Sequence, residues 1–316
     1  MSKELYKTLC NTDDSIPVFI RDWWLDAVCG KDWDVLLLEK NGKILAAMPL
    51  YIPCKGVISM PDYTQTMGIW FAKEAADMKY SSVLEHRQSL CRQLIEKLGN
   101  YHYYLQNFDV EFTDWLPFYW AGFSQTTRYT YKLNNISDLN TLLLNMSQQT
   151  RRNIRNAEEE SIEVKRGISI KDFLKVQALT FERQDKKNIQ SSRTLTKVIK
   201  TARKSGQGEL FGGYDREGNL HAVAFVVWQK SSAYYIAGGG DPEFRSSGAH
   251  SLVLWEAIKY VSQYTDVFDF EGSMIQGVER FFREFGAIQT PYFKITKGYL
   301  GFRDRVLIKI KRKMKL

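Results

Sequence analysis

The sequence predicts an α+β fold built twice, as two tandem domains that are each a mixed, mostly antiparallel sheet flanked by helices. Three observations carry this. Asp34 to Tyr51 (DVLLLEKNGKILAAMPLY) and Glu209 to Trp228 (ELFGGYDREGNLHAVAFVVW) each read as two strand-like runs about a turn with Gly at its tip. Their second strands align as NGKILAA and EGNLHAV, so Gly42 matches Gly218 and Ala46 matches Ala222. A Gly-x-x-Gln-Thr run then closes each half, in GFSQTTRYTY from Gly122 and GAIQTPYFKI from Gly286. The order of helices, hairpin, further helix and last strand is the same both times. We expect domains at 1–135 and 136–300, the first being the degenerate copy, and a basic amphipathic tail at 301–316.

In the first half, helical spacing covers Val18 to Val28 and Ser82 to Leu98, on either side of the first hairpin. In the second half Ser137 is the expected N-cap of a helix. Leu139, Leu142, Leu143 and Met146 set its apolar stripe, and Ile154 and Ala157 extend it. Helices follow at Ile170 to Arg183 and Thr194 to Lys204. The sheet is then Glu209 to Tyr214, Leu220 to Trp228 and Ala233 to Ala237. Val223 to Trp228 is apolar on both faces, as a central strand is. Leu254, Ile258 and Val261 mark the next helix. The strand Val267 to Glu271 (VFDFE) alternates, with Asp269 and Glu271 on one face and Phe268 and Phe270 on the other. A short helix, Val278 to Phe285, leads to a final strand, Tyr292 to Thr296.

Composition narrows the class. A length of 316 residues suits two domains. At 44% hydrophobic and 25% charged residues, the chain is globular and not disordered. No apolar run is long enough to cross a bilayer. The polar start, MSKELYKTLCNTDDS, lacks a signal-peptide core, so a cytoplasmic protein is expected. Cys10, Cys29, Cys54 and Cys91 are far apart and read as reduced structural thiols. The four histidines are scattered, so no metal is expected. The net charge of +8 is concentrated in RDRVLIKIKRKMKL, which has seven Lys or Arg and one Asp. The interleaved apolar residues suit anionic lipid or an RNA backbone; the alternative is a solvated helix or strand end.

The stretch GGGDPEFRSSGAHS, Gly238 to Ser251, removes side chains from a strand end just where a helix begins. A helix start offers unpaired N–H groups and partial positive charge. Gly248 lets backbone approach a ligand, Arg245 adds a cation, and Arg245 to His250 could hold a pyrophosphate. The alternative is a glycine-rich loop that needs unusual dihedrals.

Antiparallel hairpin, third strand, glycines, Arg-x-x-Gly, helix and acidic strand is an order that resembles the GNAT superfamily of acyltransferases. Its Gln/Arg-x-x-Gly-x-Gly/Ala loop stands here as Arg245, Ser246, Ser247, Gly248, Ala249 and His250, where His250 departs from the pattern. SQQTRRNIRNAEEESIEV, VERFFREFGAIQTPYFKITKG and the paired halves are similar to the Fem-type peptidoglycan aminoacyltransferases and their bacterial double-GNAT relatives.

The resemblance implies an N-acyltransferase whose donor is acyl-CoA or aminoacyl-tRNA and whose acceptor is an amine on a cell-envelope or peptidoglycan precursor, or on a sugar. No heptad-patterned helical hairpin is present, which favours acyl-CoA. The donor would be held by Gly238, Gly239 and the loop Arg245 to His250, with N–H groups near Ala237 to Gly239 polarising its carbonyl. Asp269 and Glu271 are the candidate bases and Tyr235 the candidate acid. The corresponding plain readings are a solvated strand end or salt bridge and a packed sheet tyrosine. Arg151, Arg152 and Arg155 are candidates to clamp an anionic acceptor, or else form an exposed face paired with Glu158 and Glu159. A lipid-linked acceptor would place the enzyme at the inner membrane surface through its tail. The second reading is of another class, a non-catalytic module of the same fold that binds an anionic ligand or RNA.

Overall fold

The computed structural model describes residues 2–183 and 192–314. It forms two compact units, residues 1–128 with 291–316 and residues 129–290. The first carries α1 (Ser2–Thr12), α2 (Asp22–Val28), β1 (Trp33–Lys40), β2 (Lys43–Cys54), β3 (Val57–Ser59), β4 (Trp70–Phe71), α3 (Tyr80–Lys97), β5 (Tyr103–Asn107) and α4 (Leu116–Trp120). β6 (Ser124–Asn134) carries the chain into the second unit. There follow α5 (Leu139–Asn145), α6 (Gln148–Glu159), β7 (Glu163–Arg166), α7 (Ile170–Arg183), α8 (Ser192–Lys204), β8 (Gly208–Tyr214), β9 (Leu220–Trp228), β10 (Ala233–Gly240), α9 (Ala249–Val261), β11 (Val267–Asp269) and α10 (Gln276–Arg283). β12 (Ile288–Gly298) leads back to the first unit, which ends in α11 (Phe302–Met314).

The two units repeat one strand order. In the first, β1, β2 and β3 are antiparallel neighbours, β3 runs parallel to β5, and β12 closes antiparallel on β5. In the second, β8, β9 and β10 are antiparallel, β10 runs parallel to β11, and β6 closes antiparallel on β11. The duplication read from the hairpins is therefore real. The closing strands are exchanged, however. Lys132 to Asn134 pair with Val267 to Asp269, and Lys294 to Gly298 pair with Tyr103 to Asn107. A division at 135 leaves each closing strand with its own half of the sequence, whereas the hydrogen bonds give it to the other half.

Most expected elements form near their expected bounds. The helix predicted from Ser137 is instead two helices. Asp138, not Ser137, caps α5 by accepting from the Thr141 N–H. Met146 is extended, and Ser147 caps α6 by accepting from the Thr150 N–H at 3.1 Å. The break is held from outside, because the Ser147 N–H donates to the Glu284 carbonyl at 2.8 Å. Of the expected stripe, Leu142, Met146, Ile154 and Ala157 enter one core with Leu139 packed against it, whereas Leu143 is exposed.

The core of the second unit joins β8 and β9 to α9. Val223 to Val227 are wholly buried. α9 buries residues on every side, as a helix covered by a sheet below and other elements above must. Phe268, Phe270, Phe282 and Phe285 extend the core beneath β11 and α10.

Candidate active site

The site begins where two parallel strands part. β10 and β11 pair only at Ala233 with Phe268 and Tyr234 with Asp269. Each strand has a local reason to leave the other. In β10, Tyr235 lies opposite Val226 and Ala237 opposite Phe225, so Ile236 is the extra residue of a bulge. After β11, Glu271 takes φ +60° and Gly272 φ +52°, which ends the extended strand. Gly272 is required there, since a Cβ would lie 2.1 Å from the Tyr129 carbonyl oxygen. A cleft of about 590 Å³ opens in the gap, lined by residues 235–241, the turn before α9, residues 270–273 and one face of α10. That volume is typical of small-molecule and cofactor sites. Alternate peptide groups of Ala237 to Gly240 point away from β9, toward the side β11 has left.

The first unit closes its corresponding gap. β3 and β5 pair parallel only at Val57 with Tyr103 and Ile58 with Tyr104. The following segment then fills the space. The Met67 N–H donates to the Asn107 carbonyl at 2.7 Å and Asn107 Nδ2 donates to the Gln65 carbonyl at 2.9 Å. Phe108 is fully buried against Gly68.

The glycines have packing reasons of their own. A Cβ on Gly238 would stand 2.4 Å from both the Tyr235 hydroxyl and the Val223 carbonyl oxygen. Gly248 has φ +72°, and a Cβ there would lie 2.1 Å from the Asn153 carbonyl oxygen of α6. It thus approaches a helix of the same chain closely and also lines the cleft. Gly239 and Gly240 line the cleft.

Between β10 and α9 the chain makes a 3-10 turn over Pro242–Ser247, capped by Asp241 accepting from the Glu243 N–H. Arg245, Gly248, Ala249 and His250 line the cleft. Arg245 is exposed. Ser246 is also exposed and lies off the lining, while Ser247 is buried within the turn. Ser247 donates its hydroxyl to the Phe244 carbonyl and accepts from the Ala249 N–H. His250, the departure from the loop pattern, packs its ring on Phe281 at 4.9 Å. Its Nε2 is 3.2 Å from the Tyr235 hydroxyl. Burial raises the Tyr235 phenol well above its ordinary range, so it stays protonated at neutral pH.

The two acids do not share a face, because the left-handed backbone at Glu271 breaks the alternation. Asp269 is buried and is not part of the cleft lining. Its Oδ1 accepts the Thr130 hydroxyl and the Glu271 backbone N–H, the latter at 2.7 Å. Glu271 lines the cleft, and its Oε1 is sealed from solvent without a hydrogen-bond partner among the described residues. Burial, and then the nearby Asp269 charge, push the Glu271 carboxyl well above the usual carboxylate range.

Several lining side chains escaped the sequence reading, among them three that reach in from α6, α7 and β9. Gln177 is 3% exposed and sits one turn after Phe173 on the inward stripe of α7. A glutamine on an apolar stripe was the available signal. Asn153 projects from α6. His221, on β9, stacks on Phe244 at 3.9 Å and contacts Asp215 Oδ2 through Nε2 at 3.0 Å. Burial alone would raise Asp215, but hydrogen bonds from the Asn219 side chain and backbone and from His221 outweigh it and hold the carboxyl at about 2. In sequence His221 looked like one of four scattered histidines.

Arg151, Arg152 and Arg155 lie on α6 outside the cleft lining. Arg151 donates to the Leu144 carbonyl and Arg152 to Gln149 Oε1. Among the described residues no ion pair joins Arg155 to Glu158 or Glu159. No cluster of metal-ligating side chains occurs among the described residues. No described helix is long and apolar enough to cross a membrane.

Residues 145–283 match the family model described as an acetyltransferase (GNAT) domain, which spans the whole cleft. These residues thus match a GNAT domain, and the chain as a whole has the fold of the structures that follow. A crystal structure of FemX has a TM-score of 0.68 at 13% identity, over 99% of this chain and 98% of that one. A protein of unknown function from Bacteroides thetaiotaomicron has a TM-score of 0.55 at 14% identity, over 87% and 88%. The C-terminal domain of a putative lysylphosphatidylglycerol synthetase from Agrobacterium fabrum has a TM-score of 0.54 at 11% identity, over 90% and 88%. At these identities the likeness is one of fold. No curated protein matches the sequence.

Proposed function

We propose that the protein transfers an acyl or aminoacyl group from a thioester or ester donor to an amine, with the donor carbonyl held between β10 and β11. One observation carries the reading. The parting of these strands leaves a buried carboxyl oxygen of Glu271 unpartnered at the edge of the same cleft that Tyr235 and the bulged β10 line. An unpaired buried acid with a raised pKa suits proton abstraction from an ammonium.

In this reading Glu271 takes the proton from the attacking ammonium, and the freed amine nitrogen bonds to the carbonyl carbon. Peptide N–H groups among Ala237 to Gly239 stabilise the oxygen as it gains charge. The intermediate collapses, and the bond to the donor sulfur or oxygen breaks with its electron pair. That leaving group takes the Tyr235 proton, the nitrogen's second proton returns to Tyr235 through His250 in contact with it, and Glu271 releases its proton to solvent. The products are an amide and a free thiol or alcohol. Asp269 holds the Glu271 backbone and is a positioning residue.

For the donor, acyl-CoA is the first choice and aminoacyl-tRNA the second. Arg245 and the start of α9 suit the phosphates of either. The resemblance of the sequence to the Fem-type peptidoglycan aminoacyltransferases supports an envelope-precursor amine as the leading acceptor class. Calorimetric titration with acetyl-CoA, beside Arg245→Ala, tests the donor. Micromolar binding that is lost in the variant supports coenzyme A at this turn. No binding to wild type eliminates it and turns the test to charged tRNA. If neither donor binds, the acyltransferase reading fails.

A further inference from the structure

The expected basic tail is a helix, and its described part turns its apolar stripe outward. Three side chains of α11 face its own unit. Asp304 contacts His102 Nε2 at 2.9 Å, Lys311 reaches Asp32 at 3.1 Å, and Ile308 is half-buried beside them. On a helix, positions 302, 306 and 310 lie on the opposite side, one turn apart. They are Phe302, Val306 and Ile310, exposed by 81%, 37% and 49%. Such a stripe ordinarily faces a core. Here Arg303, Arg305 and Lys309 flank it, all exposed, and Leu307 widens it at 50% exposure.

We infer that the outward ridge of α11 seats the protein on an anionic lipid surface. The chemistry separates this partner from the others. An RNA backbone rewards the cations and has no use for three exposed aliphatic or aromatic side chains in a row. A lipid interface rewards both, since the ridge enters the acyl boundary while the flanking cations meet anionic headgroups. The one acid of the described helix, Asp304, is turned inward to His102, so the outward face carries cations alone. The Asp304 and Lys311 contacts tie the helix to its own unit with the ridge facing away.

The test is sedimentation of the full chain with phosphatidylcholine vesicles, with and without phosphatidylglycerol. Two variants accompany it, Phe302→Ser with Ile310→Ser, and Arg303→Glu with Lys309→Glu. All four positions are solvent-exposed, and circular dichroism verifies that the variants fold. The expected result is binding that requires phosphatidylglycerol and falls by about tenfold or more in each variant. Wild type that ignores phosphatidylglycerol vesicles overturns the inference. So does a ridge variant that binds as wild type does, with RNA then competing for the cations. Sedimentation velocity showing a dimer that only the ridge variant abolishes would assign the face to a second copy instead. None of these readouts depends on acyl transfer.

Discussion

Asp269 and Glu271 are bound to each other through the backbone, the Glu271 N–H donating to Asp269 Oδ1 at 2.7 Å. One carboxylate thereby fixes the left-handed turn that presents the other to the cleft. Two acids that look equivalent in VFDFE have unequal roles, and substitution should separate them. Glu271→Gln should lower kcat by about 10²–10⁴-fold and leave donor affinity within a few-fold, because a general base is lost while its shape is kept. Steady-state kinetics beside calorimetric donor binding measures both. A variant with wild-type kcat would exclude Glu271 as the base.

Asp269→Ala should act first on stability. It strands the Thr130 hydroxyl and the Glu271 N–H, and leaving such buried groups unpaired costs about 1–3 kcal/mol each. Chemical denaturation is the measurement. A loss under about 0.5 kcal/mol would mean that neither bond matters. Asp269→Asn keeps an acceptor and removes the charge that helps raise Glu271. The acid limb of its pH–rate profile should therefore move to lower pH than in wild type.

The raised Glu271 also fixes a sign for stability against pH. Its folded-state pKa lies above its unfolded value of about 4.3. Between the two the native chain binds more protons, so this group's contribution to stability falls as pH rises through that window. Glu271→Gln removes the effect. Its melting temperature relative to wild type should climb from about pH 4 upward and level off above the folded pKa. A difference that stays constant with pH would contradict the burial of this carboxyl.

Gly248→Ala should destabilise by about 2–4 kcal/mol, combining a left-handed backbone penalty with overpacking against Asn153. Arg245→Ala should leave the melting temperature within about 1 °C and weaken donor binding by about 10–100-fold, since Arg245 is exposed. The contrast separates the two halves of one motif. If Gly248→Ala folds with wild-type stability, the glycine serves the ligand and not the helix packing.

His221→Ala removes the ring beneath Phe244 and leaves Asp215 with Asn219 alone. Because Asp215 is held at about 2, its stabilising contribution is present above its unfolded value of about 3.9 and is lost as pH falls through 2. Wild type and the Asp215→Asn variant should therefore converge in melting temperature below about pH 2 and diverge above pH 4. Equal curves throughout would mean that the pair contributes nothing.

Much of this was legible from spacing. The hairpin echo exposed the duplication because strand period and turn glycine survive wherever a sheet must be rebuilt. The order from β8 to α9 announced the fold, and the glycines marked the strand end. Other features depend on three-dimensional choices that spacing does not encode. The bulge at Ile236 and the turn at Glu271 both break the period on which alternation rests. Gly248 was read as open to a ligand because Asn153, almost a hundred positions earlier, gives no local sign of its presence. Gln177 and His221 reach the cleft from α7 and β9, elements that had seemed to be scaffold. The outward stripe of α11 has the same spacing as an inward one, so only its exposure tells them apart.

The exchange of β6 and β12 has a consequence for synthesis. A nascent chain released as far as residue 135 holds β1 to β5 without the strand that borders β5, which begins about 155 residues further along the chain and is not yet translated. Its β6, meanwhile, awaits a partner not yet made. The first unit must either wait with an open edge or be shielded, and edges of that kind invite misassociation. A cut at residue 135 therefore separates β6 from β11 and β12 from β5. A separable second domain must begin early enough to keep Tyr129 to Asn134, and a separable first one must be given back residues 291–298.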